Sequence, residues 1–335
     1  MGPHNGPMQV PSPSPWAEPG WLARIERWVH AELDRLGLRQ RRSLELVRTR
    51  PWAAIARVST TSGTVWFKES APSLSFEPAV TVAVSSAFPD FTPQVLATLG
   101  NWMLTRDAGI QLRDLYRRRV AAPSWDDLLP RYAELQIGLA ADVEMFLRLG
   151  VPDKRPAVVA RGYARLVDRV LGPDASAAER LHSLAPAMAS LADALADGLP
   201  STIIHEEAHE ANIFVRGGRA RLLDWAEVSV SHPFAGLVNT LRDIAYRRRL
   251  RPNGREMLRL RSVYLEPWTR FAPTAELNAM FNRGYLYGTL CRAMTWDQFL
   301  ADQLPEVRAE YGRNAAVWLD TFREGIERGI RLGAS

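Results

Sequence analysis

One short segment in the C-terminal half of the chain constrains the fold more than any other part of the sequence. Two runs of alternating apolar residues, 213–216 and 220–223, flank Gly217-Gly218, and this pattern predicts a β-hairpin. Asn212 comes directly before the first run, and Asp224 comes directly after the second. Because a hairpin begins and ends at the same edge, we expect this amide and this carboxylate to lie close together. Oxygen ligands of these kinds suit Mg²⁺, so the segment predicts a magnesium site at the open end of the hairpin.

The character of the chain changes at about residue 110, from short strands to long helices. Before that point, apolar spacing predicts helices over 21–36 and 78–87. Five β-rich runs predict a small antiparallel sheet: 44–48, 54–59, 64–68, 95–99 and 102–105. Beyond it, helical patterns dominate and are interrupted by the β cluster 203–224. This pattern predicts an α+β fold in three parts: a disordered leader rich in proline and glycine over 1–20, an N-terminal lobe over 21–109, and a mainly helical C-terminal lobe over 110–330.

Composition and charge exclude several classes of protein. The 335 residues are 47% hydrophobic and 24% charged, as in ordinary globular chains. No run of about 18 apolar residues occurs, and Cys291 is the single cysteine, so we expect no membrane span and no disulfide framework. The net charge of +5 includes the arginine runs 117–119 and 247–249, but no nucleic-acid-binding motif accompanies them. We expect a cytoplasmic protein without a nucleic-acid or membrane partner, and the oligomeric state stays open.

Lysine is rare in this chain, which makes each lysine informative. Of the 42 basic residues, only Lys68 and Lys154 are lysines. Lys68 ends the predicted strand 64–68, which follows a hairpin turn. An exposed strand lysine is the ordinary interpretation, but in a chain that otherwise uses arginine, a lysine within a strand indicates a specific role.

The loop before the hairpin contains a second carboxylate at a regular spacing. Glu207 lies five residues before Asn212, and His205 two residues before Glu207. A loop carboxylate beside a metal-binding pair is a candidate base for an attacking hydroxyl. The segment resembles the catalytic loop of the aminoglycoside phosphotransferase family, relatives of protein kinases, in which His-x-Asp-x-x-x-x-Asn is followed by a hairpin and a metal-binding Asp. His205, Glu207, Asn212 and Asp224 stand at these positions, and His209 matches a common variant of the motif.

This resemblance implies a two-lobed, protein-kinase-like fold and a function for each matching residue. In the N-terminal lobe, Lys68 would hold the phosphates of ATP or GTP and pair with Glu77 on the following helix. Pro78 directly follows Glu77 and also permits an N-cap position for it. The segment 102–109 resembles the hinge, where main-chain groups of Arg106 and Ala108 would bind the base.

In the C-terminal lobe, the resemblance implies the catalytic machinery of a small-molecule kinase. Asn212 and Asp224 would hold Mg²⁺, Glu207 would orient or deprotonate the acceptor hydroxyl, and His205 would brace the loop by hydrogen bonds. The acceptor would be a small hydroxylated molecule, such as an antibiotic, a sugar or another metabolite.

Glu207 departs from the family pattern, which has aspartate at this position. The additional methylene displaces the carboxylate by about 1 Å, and errors of that size can cost about 100-fold in rate. Three outcomes follow: a working enzyme with a repositioned substrate, a slow enzyme, or a nucleotide-binding, pseudokinase-like protein with little turnover. Glu206 would substitute for Glu207 if it pointed into the site instead. Glu210 is expected to be a solvated loop residue.

A zinc hydrolase is a further alternative. The order His205-Glu206-Glu207-Ala208-His209 has the spacing of a His-Glu-x-x-His zinc site, with Glu206 as the base. Such a site requires both histidines on one helix, and it requires neither Lys68 nor Asp224.

Overall fold

The N-terminal lobe is built around one antiparallel sheet. The computed structural model of the chain describes residues 16, 18–172 and 174–329. The sheet has the strand order β1-β2-β3-β5-β4. Its strands are β1 (Glu45–Arg50), β2 (Ala53–Thr60), β3 (Gly63–Ser70), β4 (Val95–Leu99) and β5 (Trp102–Arg106). All five correspond to the β-rich runs of the sequence.

Helix α1 (Trp21–Arg35) covers one face of this sheet. Its buried stripe of Ile25, Val29 and Leu33 packs in one apolar cluster with Val65 and Phe67 of β3. Side chains alternate along a strand, so Lys68 points to the opposite face. Helix α2 (Glu77–Ala87) follows β3 and carries Glu77.

The predicted leader, residues 1–20, lies for the most part outside the described residues. Of its members, Trp16 is buried in the core of the N-terminal lobe, where its ring lies 5.7 Å from that of Trp21. Its indole Nε1 donates to the carbonyl of Arg50 at 2.7 Å.

The C-terminal lobe is mainly helical, which confirms the predicted α+β architecture. The helices are α3 (Leu112–Arg117), α4 (Trp125–Gly138), α5 (Val143–Arg148), α6 (Pro156–Leu171), α7 (Ala175–His182), α8 (Ala185–Ala194), α9 (Val238–Arg248), α10 (Arg255–Leu265), α11 (Thr274–Ala301), α12 (Pro305–Tyr311) and α13 (Arg313–Glu327). The long helix α11 is central and approaches the turn 233–237 closely. A Cβ at Gly288 would lie 2.3 Å from the carbonyl oxygen of Ala235, so this contact requires glycine.

Two small sheets in this lobe position the loop identified in the sequence. The first has the order β10-β9-β6 and the second β7-β11-β8. Their strands are β6 (Ile110–Gln111), β7 (Asp153–Lys154), β8 (Thr202–His205), β9 (Ile213–Arg216), β10 (Arg219–Leu222) and β11 (Val228–Ser231). Strands β9 and β10 form the predicted hairpin, with Ile213 opposite Leu222.

The two lobes meet at the hinge and at the β1–β2 turn. Gly109 in the hinge has φ 103°, and a Cβ there would lie 2.1 Å from the carbonyl oxygen of Val215. At the turn, the ring of Trp52 lies 5.1 Å from Phe299 and 5.6 Å from Tyr311 of the C-terminal lobe. Within the described ranges, no helix is both long and apolar enough to cross a bilayer.

Candidate active site

Lys68 connects the two lobes through two carboxylates. Its Nζ donates to Oε1 of Glu77 at 2.6 Å and to Oδ1 of Asp224. Glu77 is buried and also accepts a hydrogen bond from the Ser70 hydroxyl. Burial opposes the charged form of Lys68, but Asp224 and Glu77 together raise its pKa above the usual value. The predicted lysine–glutamate pair is thus formed within the N-terminal lobe and extends to the hairpin.

Glu77 occupies the first turn of α2 and not the capping position. The helix begins at Glu77, with Phe76 as the N-cap and Pro78 at the second helical position. Proline is tolerated there because the first N–H groups of a helix have no partner within the helix. The carboxylate is therefore free to reach back to Lys68 on β3.

Asn212 and Asp224 meet at the open end of the hairpin. The Leu223 N–H donates to the Asn212 carbonyl at 2.8 Å, which ties together the two chain ends. Asp224 has the left-handed backbone conformation φ 69°, ψ 56°, which aspartate tolerates better than most residues. Burial opposes its ionisation, but Lys68 lowers its pKa below the usual value.

His205 braces the loop instead of facing the cleft. Its Nε2 donates to the Leu223 carbonyl at 3.1 Å, and its Nδ1 accepts the Glu207 N–H at 3.2 Å. The ring also packs edge-on against Trp225. Burial lowers the pKa of His205 to about 4, so the imidazole is neutral at pH 7. A neutral ring with both nitrogens engaged fixes the residue before Asp224 in place.

The carboxylate of Glu207 is held by donors from three different elements. Its Oε1 accepts from Asn239 Nδ2 at 2.6 Å and lies 2.7 Å from Arg292 Nη2. Its Oε2 lies 2.7 Å from His209 Nε2. Burial opposes the charged form, but Arg292 and His209 lower the pKa of Glu207 below the usual value. The carboxylate is thus ionised and fixed in orientation.

Glu206 points away from the site, so it cannot substitute for Glu207. Its carboxylate is buried and accepts from Lys154 Nζ at 2.6 Å, Thr295 Oγ1 at 2.6 Å and Ser229 Oγ at 2.8 Å. The strand β8 ends at His205, and consecutive side chains at its end diverge to opposite sides. The expectation for Glu210 is also wrong, because this side chain is buried and paired with Arg247 at 2.8 Å.

The contacts around this loop also include Arg292, Asn239, Lys154 and Glu227, of which only Lys154 has a signal in the sequence. Arg292 lies on α11 and contacts Glu227 Oε2 at 2.8 Å through Nη1. Burial raises the pKa of Glu227 to about 7, although Arg292 opposes this shift. The rarity of lysine was a usable signal for Lys154. Arg292 is one of forty arginines and 85 positions from Glu207, so no local pattern identifies it.

The zinc-hydrolase alternative is wrong on geometry. His205 ends a strand and His209 lies in the turns that follow, so the two rings are not on one helix. The His205 nitrogens are occupied by main-chain groups, and His209 Nε2 is directed at Glu207. A cation between the two histidines would have to break these contacts.

A cavity of about 580 Å³ lies between the lobes, and most of the predicted site residues line it. Its lining includes these predicted positions: Lys68, Glu77, Arg106, Ala108, Asn212 and Asp224. His205 and Glu207 are not part of this lining. Apolar walls come from both lobes and include Ile55, Met103, Phe214 and Leu223. At the hinge, the Arg106 N–H already donates to the Gln94 carbonyl at 2.9 Å, and the Asp107 N–H donates to Thr64.

Comparison with known proteins places the chain in a family. The model of the phosphotransferase enzyme family matches residues 102–273, which is just over half of the chain. No curated protein matches the sequence.

Solved structures share the fold at low sequence identity. A macrolide 2'-phosphotransferase from Brachybacterium faecium is 16% identical over 88% of this chain and 98% of its own, with a TM-score of 0.57. The GDP complex of aminoglycoside 2'-phosphotransferase-IIIa is 13% identical over 89% of this chain and 98% of its own, with a TM-score of 0.59. A Plasmodium vivax ethanolamine kinase is 13% identical over 88% of this chain and 84% of its own, with a TM-score of 0.57. The predicted kinase-like fold and family resemblance are confirmed, and the chain belongs to the phosphotransferase enzyme family, whose members act on hydroxyl groups.

Proposed function

We propose that the chain transfers the γ-phosphoryl group of ATP or GTP to a hydroxyl of a small molecule. The observation that carries this proposal is the double ion pair of Lys68 with Glu77 and Asp224 on the wall of the inter-lobe cavity. A lysine so placed joins a nucleotide-facing strand to the hairpin that follows the catalytic loop. Lys68 donates to two carboxylates within the described structure, and an ammonium group has three N–H donors, so one remains for a phosphate oxygen.

The nucleotide base fits the apolar part of the cavity. Ile55 on the sheet and Phe214 and Leu223 on the hairpin form opposing walls that suit a flat ring. The Arg106 and Asp107 N–H groups are engaged in the N-terminal lobe, so of the hinge amides proposed here the Ala108 N–H is the better donor to the base. GDP is the nucleotide in one of the similar structures, which keeps both ATP and GTP as candidates.

The cavity also offers ligands for a Mg²⁺ ion bound to the phosphates of the nucleotide. Asn212 Nδ2 donates to the Glu207 carbonyl at 3.1 Å, so its Oδ1 is the atom available to a cation. The ionised carboxylate of Asp224 supplies the second hard oxygen ligand. The bound ion would neutralise charge on the transferring phosphoryl group.

Glu207 would accept a hydrogen bond from the acceptor hydroxyl and later its proton. Phosphoryl transfer passes through a loose transition state, so orientation of the hydroxyl contributes more than strong base catalysis. A carboxylate with a lowered pKa is a weak base but stays ionised, which is sufficient for orientation. In this proposal His205 supports the reaction indirectly, by holding Leu223 and Glu207 in place.

The acceptor class is a small hydroxylated antibiotic, sugar or other metabolite. The similar structures are named for macrolides, aminoglycosides and ethanolamine, which differ in size and charge. Such a reaction would take place in the cytoplasm, where nucleoside triphosphates are abundant.

The proposal is tested by nucleoside diphosphate release in the presence of Mg²⁺ over a panel of hydroxylated acceptors. The wild type is compared with Asp224→Asn and with Asp90→Asn, a control in an exposed ion pair with Arg219. We expect release that depends on acceptor, is retained in Asp90→Asn and falls by about 1000-fold in Asp224→Asn. Nucleotide binding without release for any acceptor would support the pseudokinase-like alternative. Full activity in Asp224→Asn would refute the assigned site.

A further inference from the structure

A single buried arginine holds the carboxylates around the catalytic loop together. Arg292 on α11 is 3% exposed and lies between three glutamates. Its Nη2 is 2.7 Å from Glu207, and its Nη1 is 2.8 Å from Glu227 and 3.4 Å from Glu206. Its planar guanidinium presents donors on separate nitrogens in a fixed geometry, so Nη1 and Nη2 contact different carboxylates at once.

These contacts are matched to the length of glutamate at position 207. Oε1 is shared by Arg292 Nη2 and Asn239 Nδ2 at 2.7 and 2.6 Å, and Oε2 lies 2.7 Å from His209. An aspartate would retract both oxygens by about 1 Å, the displacement that one methylene produces. The distances to the three donors would then approach about 3.7 Å, beyond hydrogen-bonding range.

We infer that Arg292 is a positioning residue for Glu207, and that Glu207 and Arg292 form a matched pair in which glutamate, not the aspartate of the family motif, is the working residue. This inference rests on the proposed function, because positioning has meaning only if Glu207 faces an acceptor. It also has a counterintuitive consequence: restoring the family aspartate damages the enzyme.

The pair is separable from nucleotide binding. Arg292 contacts Glu206, Glu207 and Glu227 but neither Lys68 nor Asp224, which line the cavity. A change at Arg292 that acts through position 207 lowers kcat and leaves nucleotide affinity intact. A change that only loosens the fold lowers the melting temperature and affects both quantities.

The test compares Glu207→Asp, Arg292→Lys and the double variant in the full chain. Arg169→Lys is the control. Arg169 on α6 forms an exposed ion pair with Asp297, which lies on α11 as Arg292 does. For each protein, kcat, acceptor KM, melting temperature and the Kd of Mg²⁺–nucleotide by calorimetry are measured. We expect Glu207→Asp and Arg292→Lys each to lower kcat by about 10- to 100-fold, with nucleotide Kd within about twofold of wild type. The double variant is no slower than the slower single variant, because both changes remove the same contact.

Two results would overturn the inference. One is a kcat in Glu207→Asp equal to or above that of the wild type. The other is a double variant in which the two losses multiply. If Arg292→Lys does not fold, Asn239→Ala removes another donor to the same oxygen without a buried charge, and we expect it to lower kcat by about 3- to 10-fold with unchanged nucleotide Kd.

Failure of the inference is distinguishable from failure of the proposed function. If the wild type releases diphosphate and Asp224→Asn does not, the phosphotransferase proposal stands whatever the Glu207 variants show. If the wild type is inactive and Glu207→Asp gains activity, the matched pair is refuted and the pseudokinase-like alternative is supported. If neither protein turns over, both proposals fall.

Discussion

The two lysines of this chain occupy buried sites with similar partners and different surroundings. Lys68 lies 2.6 Å from Glu77, and Lys154 lies 2.6 Å from Glu206. The Lys68 side chain is 15% exposed and lines the inter-lobe cavity, whereas the Lys154 side chain is 2% exposed. Lys154 donates to three groups: Glu206, the Cys291 carbonyl and Thr295.

We infer from this difference that access to a cavity and an unused donor, not the identity of the partners, distinguish a candidate functional ion pair from a structural one. The Lys154 site has no spare donor and connects β7, the catalytic loop and α11 as part of the C-terminal core. The Lys68 site borders the inter-lobe cavity of about 580 Å³, in which the nucleotide is proposed to bind. We therefore expect changes at Lys68 to affect mainly catalysis and changes at Lys154 to affect mainly stability.

The largest expected effect is the loss of activity on replacement of Lys68, the lysine that lines the cavity. Replacing Lys68 with methionine removes the cation proposed to hold the phosphates, and we expect kcat/KM to fall by about 1000-fold. Diphosphate release in a coupled assay measures this loss. Retention of more than about a tenth of the activity in Lys68→Met would mean that the two lysines do not differ in the way proposed.

The same substitution at Lys154 is expected to act on folding. Lys154→Met leaves the buried Glu206 with less compensation, and loss of one member of a buried pair costs about 3–5 kcal/mol. Urea unfolding measures this change in the free energy of unfolding. Lys154→Met/Glu206→Gln removes both charges and is expected to recover most of the loss. A double variant no more stable than Lys154→Met would show that the pair is not the source of the effect.

The hydroxyl groups beside each pair provide a smaller, matched comparison. Ser70 donates to Glu77 in the Lys68 site, and Thr295 donates to Glu206 in the Lys154 site. We expect Ser70→Ala to lower kcat/KM by about 3- to 10-fold, and Thr295→Val to lower the free energy of unfolding by about 1–3 kcal/mol. Kinetic assays and urea unfolding of both variants test this. Equal losses of kcat/KM and of stability in the two variants would contradict the proposed difference between the Lys68 and Lys154 sites.

The pH dependence of stability provides a further comparison, because a buried histidine outside both lysine sites is expected to contribute to it. The pKa values of Asp224 and Glu206 are lowered and that of Lys68 is raised, so these groups keep their charges between pH 5 and 7. Burial lowers the pKa of His232 to about 3, whereas an unfolded histidine titrates near 6.5. As pH falls below about 6.5, the unfolded chain binds a proton that the folded chain refuses, so stability falls.

His232→Asn tests this origin of the pH dependence. Between pH 7 and 5, His232 is expected to contribute a loss of about 2 kcal/mol, and the asparagine variant should lack that part. Asparagine retains an acceptor for the Phe234 N–H, which His232 Nδ1 binds at 3.3 Å. Urea unfolding at both pH values gives the comparison. If the free energy of unfolding of His232→Asn falls between pH 7 and 5 as much as that of the wild type, the titrating group is another residue.

Local patterns in the sequence were sufficient for the fold and for half of the site. The hairpin was predicted because Gly217-Gly218 separates two alternating runs, and it brings Asn212 and Asp224 together as expected. The rarity of lysine identified Lys68. The same rarity marks Lys154, but this residue lies between helical patterns and not in an evident strand, so its position in the sequence predicts no specific role.

Long-range partners could not be predicted from the sequence. Two of the three donors that orient Glu207 come from α9 and α11, and Arg292 lies among many arginines without a distinguishing spacing. Glu210 has the composition of a solvated loop residue, yet Arg247 and Arg113 cover it. Such contacts depend on how helices pack, which a single sequence does not record locally.

The most direct test of the central claim, that the cavity at Lys68 and Asp224 is the nucleotide site, is calorimetric titration of the wild type with ATP and with GTP in the presence of Mg²⁺. We expect one nucleotide to bind with 1:1 stoichiometry and to lose affinity when Mg²⁺ is chelated. Absence of binding for both nucleotides, in protein that is folded, would contradict the assignment of this cavity.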